Sequence, residues 1–231
     1  MQMVELFNSK ALGIYGSGGF GREIYDTAVR SNEINKTWNN IFFIDDFKKN
    51  NFKINDAHVL SFQEMTKSYQ TDEINLVVAV GEPSLREKLY NKIKTSKYKL
   101  TNIIDPSVIV SPYSHIGNGV IICAGCIIAN NAVLEDNVCI NVNSIIGHDI
   151  HISESCSISS NVNIGGSTFI DKKTYIGMGA MIKENLKIGS DTIIGMSSVV
   201  YHNIKDSVIA VGNPARVVKN NIEKKVFKNG N

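Results

Sequence analysis

From Ile104 onward the apolar positions recur every six residues, running through Ile104, Val110, Ile116 and Ile122 to Ile188, Ile194 and Val200 without a slip. That is seventeen consecutive positions, fourteen of them Ile. The position four residues further on is also restricted: Val120, Cys126, Ala132, Val138 and Ser144 are small or β-branched, and the trend continues to Ser198. Gly, Asn and Asp gather between, as turns require. A helix of 3.6 residues per turn cannot keep period six, and a half-buried strand alternates with period two. One large and one small inward residue per hexad predicts a parallel β-helix, with one short strand and one corner per hexad and three hexads per coil. The stretch from Ile104 to Lys205 holds five to six coils. At about 4.8 Å per coil the prism is roughly 27 Å long. The unbroken register predicts no long loop between Ile104 and Val200.

The first hundred residues read differently. Ala11–Tyr15 reads as a buried strand, Gly16-Ser17-Gly18-Gly19-Phe20-Gly21 matches GxGxxG, and Arg22–Arg30 reads as a helix. A second strand, Ile41–Ile44, ends in Asp45-Asp46 about 25 residues past the glycines. A third, Ile74–Val80, ends in Gly81, and Ser84–Thr95 reads as another helix. Strand, glycine loop, helix and strand-terminal acid form a nucleotide-binding fingerprint. The glycines let backbone N–H groups approach a phosphate at a helix N-terminus. The plain alternative is a tight turn that packs a helix on a sheet. A dinucleotide fold needs two such halves, and only about 100 residues precede the prism. A single nucleotide, with or without a sugar, fits better than NAD. The division expected is an α/β half-Rossmann-like domain at 1–102, an all-β parallel β-helix at 103–213 and a tail at 214–231.

Composition narrows the class. The chain has 231 residues, 43% hydrophobic and 20% charged, enough for packed cores. A net charge of +2 from 24 basic and 22 acidic residues argues against a nucleic-acid or polybasic membrane partner. No apolar run reaches the length of a spanning helix, and Met1–Lys10 lacks the features of a secretory leader. The expectation is a cytoplasmic protein. Cys123, Cys126, Cys139 and Cys156 include a CxxC spacing, but Cys126 and Cys156 occupy the small inward position and the other two do not. They read as reduced, structural thiols. The histidines do not cluster with carboxylates, so no metal site is expected.

A small glycine-loop α/β domain fused to a hexapeptide prism resembles the sugar acetyltransferases of the PglD/NeuD type, which are hexapeptide-repeat acyltransferases. The resemblance rests on GSGGFG (16–21), FIDDF (43–47), AVGEPSLREKL (79–89), IIGHD (145–149) and VGNPARVVK (211–219), and covers nearly the whole chain. It implies a left-handed β-helix, a hand the repeat alone does not fix. It further implies a homotrimer with active sites between subunits, acetyl-CoA as co-substrate, no metal, and a nucleotide-linked amino sugar held by the first domain.

Carried over residue by residue, the resemblance makes His148 the general base and Asp149 the acid that orients it. Imidazole titrates near neutral pH, which suits removal of a proton from an attacking amine. Eighteen-residue stacking puts Gly166 one coil from His148, where the family directs a backbone N–H at the acetyl carbonyl. Met178, Gly195, Met196, Pro214, Ala215, Arg216 and Lys219 match acetyl-CoA contacts, the last two also reading as a solvated basic tail. Gly16, Ser17, Gly18, Gly19, Phe20, Asp45, Asp46 and Gly81 match the nucleotide-sugar site. Two positions depart from the family: Phe20 and Ser157 stand where histidines are common. The activity implied is acetyl-CoA-dependent N-acetylation of a nucleotide-linked amino-deoxy sugar for bacterial surface glycans. O-acetylation of a sugar or sialic acid hydroxyl, a non-catalytic scaffold, and a nicotinamide-dependent oxidoreductase are the alternatives.

Overall fold

The structure is a computed structural model that describes residues 10–48 and 52–227. Residues 1–9, where no secretory leader is expected, and the last four residues of the expected tail lie outside the described residues. The chain opens with β1 (Lys10–Tyr15), α1 (Gly19–Asn35) and β2 (Trp38–Ile44), then β3 (Lys53–Ile54), β4 (Ala57–Leu60) and α2 (Phe62–Ser68). β5 (Ile74–Val78), α3 (Pro83–Thr95) and β6 (Lys99–Leu100) complete the first unit. Its sheet runs β3-β4-β2-β1-β5-β6, parallel except for the β3–β4 pair. The β3-β4-α2 insertion was not predicted. Its helix carries a sequence signature all the same: Ser61 and Glu64 form a reciprocal capping box.

The expected prism follows as a left-handed parallel β-helix of two-residue strands. Each pairs with the strand eighteen residues away, as Ile121 with Cys139 and Ile128 with Ile146. Three faces result. One runs from Ile103–Ile104 to Ile193–Ile194, the second from Ile109–Val110 to Val199–Val200, and the third from His115–Ile116 to Lys187–Ile188. Both inward positions of the hexad are buried, the large one through Ile122, Ile140, Ile158 and Ile176, the small one through Val120, Ala132, Val162 and Ala180. Polar members of the small position donate inside the core: Ser144 to Ser159 O, Thr168 to Lys183 O and Thr174 to Gly189 O. Cys126 and Cys156 follow the same rule toward Asn141 O and Asp171 O. Buried hydroxyls are thereby satisfied.

The corners draw on Asn in particular, though many other Asn lie before Ile104. From Gly119 to Ser197, one residue in every six has positive φ, including Asn131, Asn137, Asn143, Asp149, Asn161, Asn185 and Asp191. Asn, Asp and Gly tolerate that left-handed region best. The eighteen-residue register ends at Val200: Ile188 bridges Ile204 and Ile194 pairs with Ala210, both sixteen apart. Val208–Val211 extends the first face, and Arg216–Asn220 pairs antiparallel with it. The stretch expected as a tail therefore starts as a hairpin strand.

The two units share a core. Leu12, Ile14, Ile24, Ala28 and Phe43 pack with Ile103, Ile121, Cys123 and Cys139 of the first face, so this face is the docked one. Polar groups fix the junction. The guanidinium of Arg86, 0% exposed, donates to Val78 O and Val80 O in its own unit and to Asn137 O and Oδ1 in the prism. Tyr90 donates to Asp136 at 2.5 Å, and Arg30 pairs with buried Asp105 at 2.7 Å. All four cysteines are free and buried.

Candidate active site

The sequence-predicted residues fall in three places. The first is the corner between the second and third faces. His148 and Asp149 lie in the turn from Ile145–Ile146 to His151–Ile152, and both are exposed. Asp149 has positive φ, which directs its side chain back along the corner. Its Oδ2 meets His148 Nδ1 at 2.8 Å, and its Oδ1 accepts from Asn131 Nδ2 at 3.0 Å. The Asn131 amide and then the His148 ring hold the Asp149 carboxyl below its usual range. A carboxylate at Nδ1 favours the tautomer with Nδ1 protonated and leaves Nε2 as the acceptor. Asn131 was not singled out from the sequence; it lies eighteen residues before Asp149, so the column rule could have found it.

Gly166 stacks beneath His148, joined by Ser167 N donating to His148 O at 2.8 Å. The imidazole occupies the space of a Cβ at 166, which would lie 2.6 Å from both Nε2 and Cε1. Three neighbouring glycines matter together. At the equivalent hexad position the N–H groups of Asn118, Val142, Glu154, Lys172 and Ser190 donate to side-chain oxygens. For Val142 and Lys172 the acceptor is the preceding residue, and for Glu154 it is the residue nineteen back. At Gly166 those positions are Gly165 and Gly147, which have no side chain. A Cβ on Gly147 would also sit 2.8 Å from the Gly166 nitrogen. Neither of those two acceptors is available to the Gly166 N–H, which lies beside His148.

The second place is the corner between the docked and second faces. Met178, Gly195 and Met196 lie there in successive coils, with both methionines exposed. The hairpin turn wraps its end: Ala215 N donates to Val199 O, and Pro214, Arg216 and Lys219 are exposed. In one chain this corner and the His148 corner are opposite edges of the second face, so the structure does not bring these two sets together.

The third place is the glycine loop. Gly16 has φ +120, and a Cβ on Gly21 would lie 2.0 Å from Gly16 O, so loop and helix pack closely. Gly18 and Gly19 face open space. α1 starts at Gly19 with neither a side-chain cap nor an acid in its first turn, which leaves N–H groups toward an anion. A cleft of about 170 Å³ is lined by this loop, Asp45, Asp46, Phe47 and Gly81. Ser17 is buried and its hydroxyl donates to Asp45, so it offers backbone rather than side chain to the cleft. Asp46 is engaged by Lys92, Tyr15 and the Phe62 N–H. Burial raises its pKa, but these partners outweigh it and hold the carboxyl low. Lys48, which the sequence reading did not select, reaches Ser17 O at 3.1 Å and adds a positive charge beside the loop. Phe20 faces a second groove together with Ser157 of the docked face.

Among the described residues no group of His, Cys, Asp and Glu could hold a metal ion, and no helix is long and apolar enough to cross a membrane.

Known proteins match both units of the chain. Residues 11–93 match the family model described as the PglD N-terminal domain. The chain is similar to the acetyltransferase domain of PglB from Neisseria gonorrhoeae, with 26% identity and a TM-score of 0.85 over 91% of this chain and 100% of that one. It is also similar to PerB from Caulobacter crescentus, solved with CoA and GDP-perosamine (26% identity, TM-score 0.80, 90% and 96% coverage). WeeI from Acinetobacter baumannii matches with 26% identity and a TM-score of 0.83 over 91% and 100%.

Proposed function

We infer, from its place among the PglD-type sugar acetyltransferases, that this chain transfers the acetyl group of acetyl-CoA to the amino group of a nucleotide-linked amino-deoxy sugar. The observation that carries the reading is the His148–Asp149 pair with its imidazole packed against Gly166. That is a base beside an oxyanion donor, the two groups an acyl transfer from a thioester to an amine requires. The solved relatives add the substrates: one PglB structure holds acetyl-CoA, and PerB holds CoA with GDP-perosamine.

In this reading the amine nitrogen attacks the thioester carbonyl while His148 Nε2 takes its proton. The N–H of Gly166 donates to the carbonyl oxygen as negative charge builds there. The C–N bond forms, the C–S bond breaks, and the proton on His148 passes to the leaving thiolate. Asp149 keeps the ring oriented and stabilises the imidazolium without itself taking the proton. The diphosphate sits at the α1 N-terminus beside Lys48, and the methionine corner with the hairpin turn lies along CoA.

The active unit is a trimer with its sites between subunits. The outward column of the second face carries Ile109, Ile127, Ile145 and Met181, all exposed, with half-buried Asn163 between the last two and half-buried Val199 at its end. A stripe of this kind is a contact surface rather than a solvated one. Placing the second face of three copies toward one axis covers the stripe. It also sets the His148 edge of each copy against the methionine edge of the next. The separation of the two sets within one chain supports this assembly. Four buried thiols with no disulfide suit a reducing, cytoplasmic setting.

The test is thiol release from acetyl-CoA with UDP-, dTDP- and GDP-linked amino sugars as acceptors. Release with at least one amine acceptor, and none with its hydroxyl analogue, is expected. Activity on the hydroxyl analogue alone would make it an O-acetyltransferase. No release with any acceptor and no acetyl-CoA binding would leave a scaffold.

A further inference from the structure

The cleft at the glycine loop does not stop at the domain boundary. Gly19, Phe20 and Gly81 line it, and the same three residues line a second groove of about 250 Å³ that runs between the loop and the docked face of the prism. The floor of this groove is built by Ser157, Ser159 and Tyr175. Its far wall is Phe227, delivered by the C-terminal segment.

That segment follows a specific route. After the hairpin, Asn221 Nδ2 donates to Asp191 O at 2.9 Å and Lys224 pairs with Asp191 at 3.0 Å. The backbone N–H groups of Val226 and Phe227 then both donate, at 2.9 Å, to one carboxylate oxygen of Glu82 in the nucleotide domain. Glu82 follows Gly81 directly and precedes α3 as its N-cap residue. The Phe227 ring meets Tyr175 edge to face, with centroids 5.7 Å apart, and lies 3.9 Å from where a Cβ on Gly81 would sit. No strand or helix pairing explains this return; a side chain of the first unit captures the end of the described chain and places an aromatic ring at the mouth of the groove.

The chemistry of the groove is that of a sugar site rather than a phosphate site. Phe20, Tyr175 and Phe227 give aromatic surface, and the Ser159–Tyr175 hydroxyl pair offers hydrogen bonds. Glu23 is the one carboxylate among its lining residues and can accept from a sugar hydroxyl. Pockets for ring-shaped ligands combine apolar walls with a few polar groups in this way. The anion-binding end lies at the glycine loop, one shared wall away.

We propose that the C-terminal segment is part of the acceptor site: Phe227 contacts the sugar ring of the nucleotide-linked substrate, and Glu82 is the positioning residue that holds it there. This rests on the function proposed above and assigns the sugar half of the substrate to the groove.

The experiment uses the full chain with Phe227→Ala, Glu82→Ala, the double variant and Glu82→Gln. Binding of the nucleoside diphosphate alone is compared by calorimetry with binding of the amino sugar conjugate that the wild type acetylates best among the UDP, dTDP and GDP series. Phe227→Ala is expected to raise KM for the conjugate about tenfold, the scale of one lost aromatic contact. Nucleoside diphosphate affinity and KM for acetyl-CoA stay within twofold. Glu82→Ala gives the same pattern, the double variant is no worse than either single change, and Glu82→Gln, whose amide oxygen still accepts, stays near wild type. A conjugate KM within twofold of wild type in Phe227→Ala overturns the proposal, as does an equal loss of nucleoside diphosphate affinity. If the wild type acetylates none of the conjugates, the proposed function itself fails and this inference fails with it.

Discussion

The imidazole of His148 fills the space that a Cβ on Gly166 would occupy, 2.6 Å from its Nε2. The packing of the base against the Gly166 backbone therefore depends on one missing methyl group. Gly166→Ala must push the ring out of place, because a contact that short cannot be accommodated without movement. We expect kcat to fall by about 10²-fold or more, the scale of losing one oxyanion donor, with acceptor KM little changed. Steady-state kinetics on the purified variant checks this; a kcat within threefold of wild type would separate Gly166 from the chemistry.

His148→Ala removes the base and is expected to lower kcat about 10²- to 10⁴-fold while the assembly stays intact. Asn131→Ala tests the outer support of the pair. It loosens Asp149 without touching His148, so its loss of kcat is smaller than that of Asp149→Ala. Kinetics of the three variants side by side gives the order, and the reverse order would remove Asn131 from the site.

The exposed column on the second face gives a direct test of assembly. Ile145→Glu or Met181→Glu puts a carboxylate in the exposed stripe that the proposed trimer would bury. Sedimentation is expected to show monomers, with acetyl transfer lost because His148 and the methionine corner no longer meet. A monomeric variant with wild-type turnover would show that one chain suffices.

Acid should unfold the protein through its hydrogen-bonded carboxylates. Burial raises the pKa of Asp105 and Asp136, but hydrogen bonds outweigh it, from Ser107 and Arg30 at the first and from Asn118 and Tyr90 at the second. Asp46 behaves likewise. A carboxyl whose folded pKa lies below its unfolded value stabilises fully above the unfolded value, about 3.9, and loses that stabilisation as pH falls toward the folded pKa. The melting temperature is expected to be insensitive to these groups from pH 8 to 5 and to drop below about pH 4. Asp105→Asn should flatten that drop; an unchanged acid limb would show that the Arg30–Asp105 junction is not part of it.

Arg86 holds the two units together through four carbonyl oxygens, none of them charged. Arg86→Met leaves those buried acceptors unpaired, at about 1–3 kcal/mol for each left without a partner. Destabilisation of about 3 kcal/mol or more is expected, with the nucleotide domain protected less than the prism in hydrogen exchange. A loss below about 1 kcal/mol would mean that apolar packing at the junction is enough.

Two features could be read from residues alone because they rest on local repetition. The hexad period fixed the prism, its inward positions and the stacking of Gly166 on His148, since each coil repeats the last at a spacing of eighteen. The glycine loop was equally legible: backbone conformation and close packing leave few residue choices at Gly16 and Gly21. The Asn, Asp and Gly at the corners follow from local backbone preference, one left-handed residue per corner.

What depended on distance in sequence was not legible. Asp45 and Asp46 look alike on the chain, yet Asp46 is engaged by Lys92 and Tyr15, contacts that only the packing of α3 and β1 creates. Arg86 reads as a surface helix residue until the prism arrives with Asn137. The Glu82–Phe227 contact spans 145 residues and has no periodic trace. Periodicity decides which way a side chain faces. Which distant partner it meets is decided by how the two units dock, through an apolar junction shared by α1 and the first prism face.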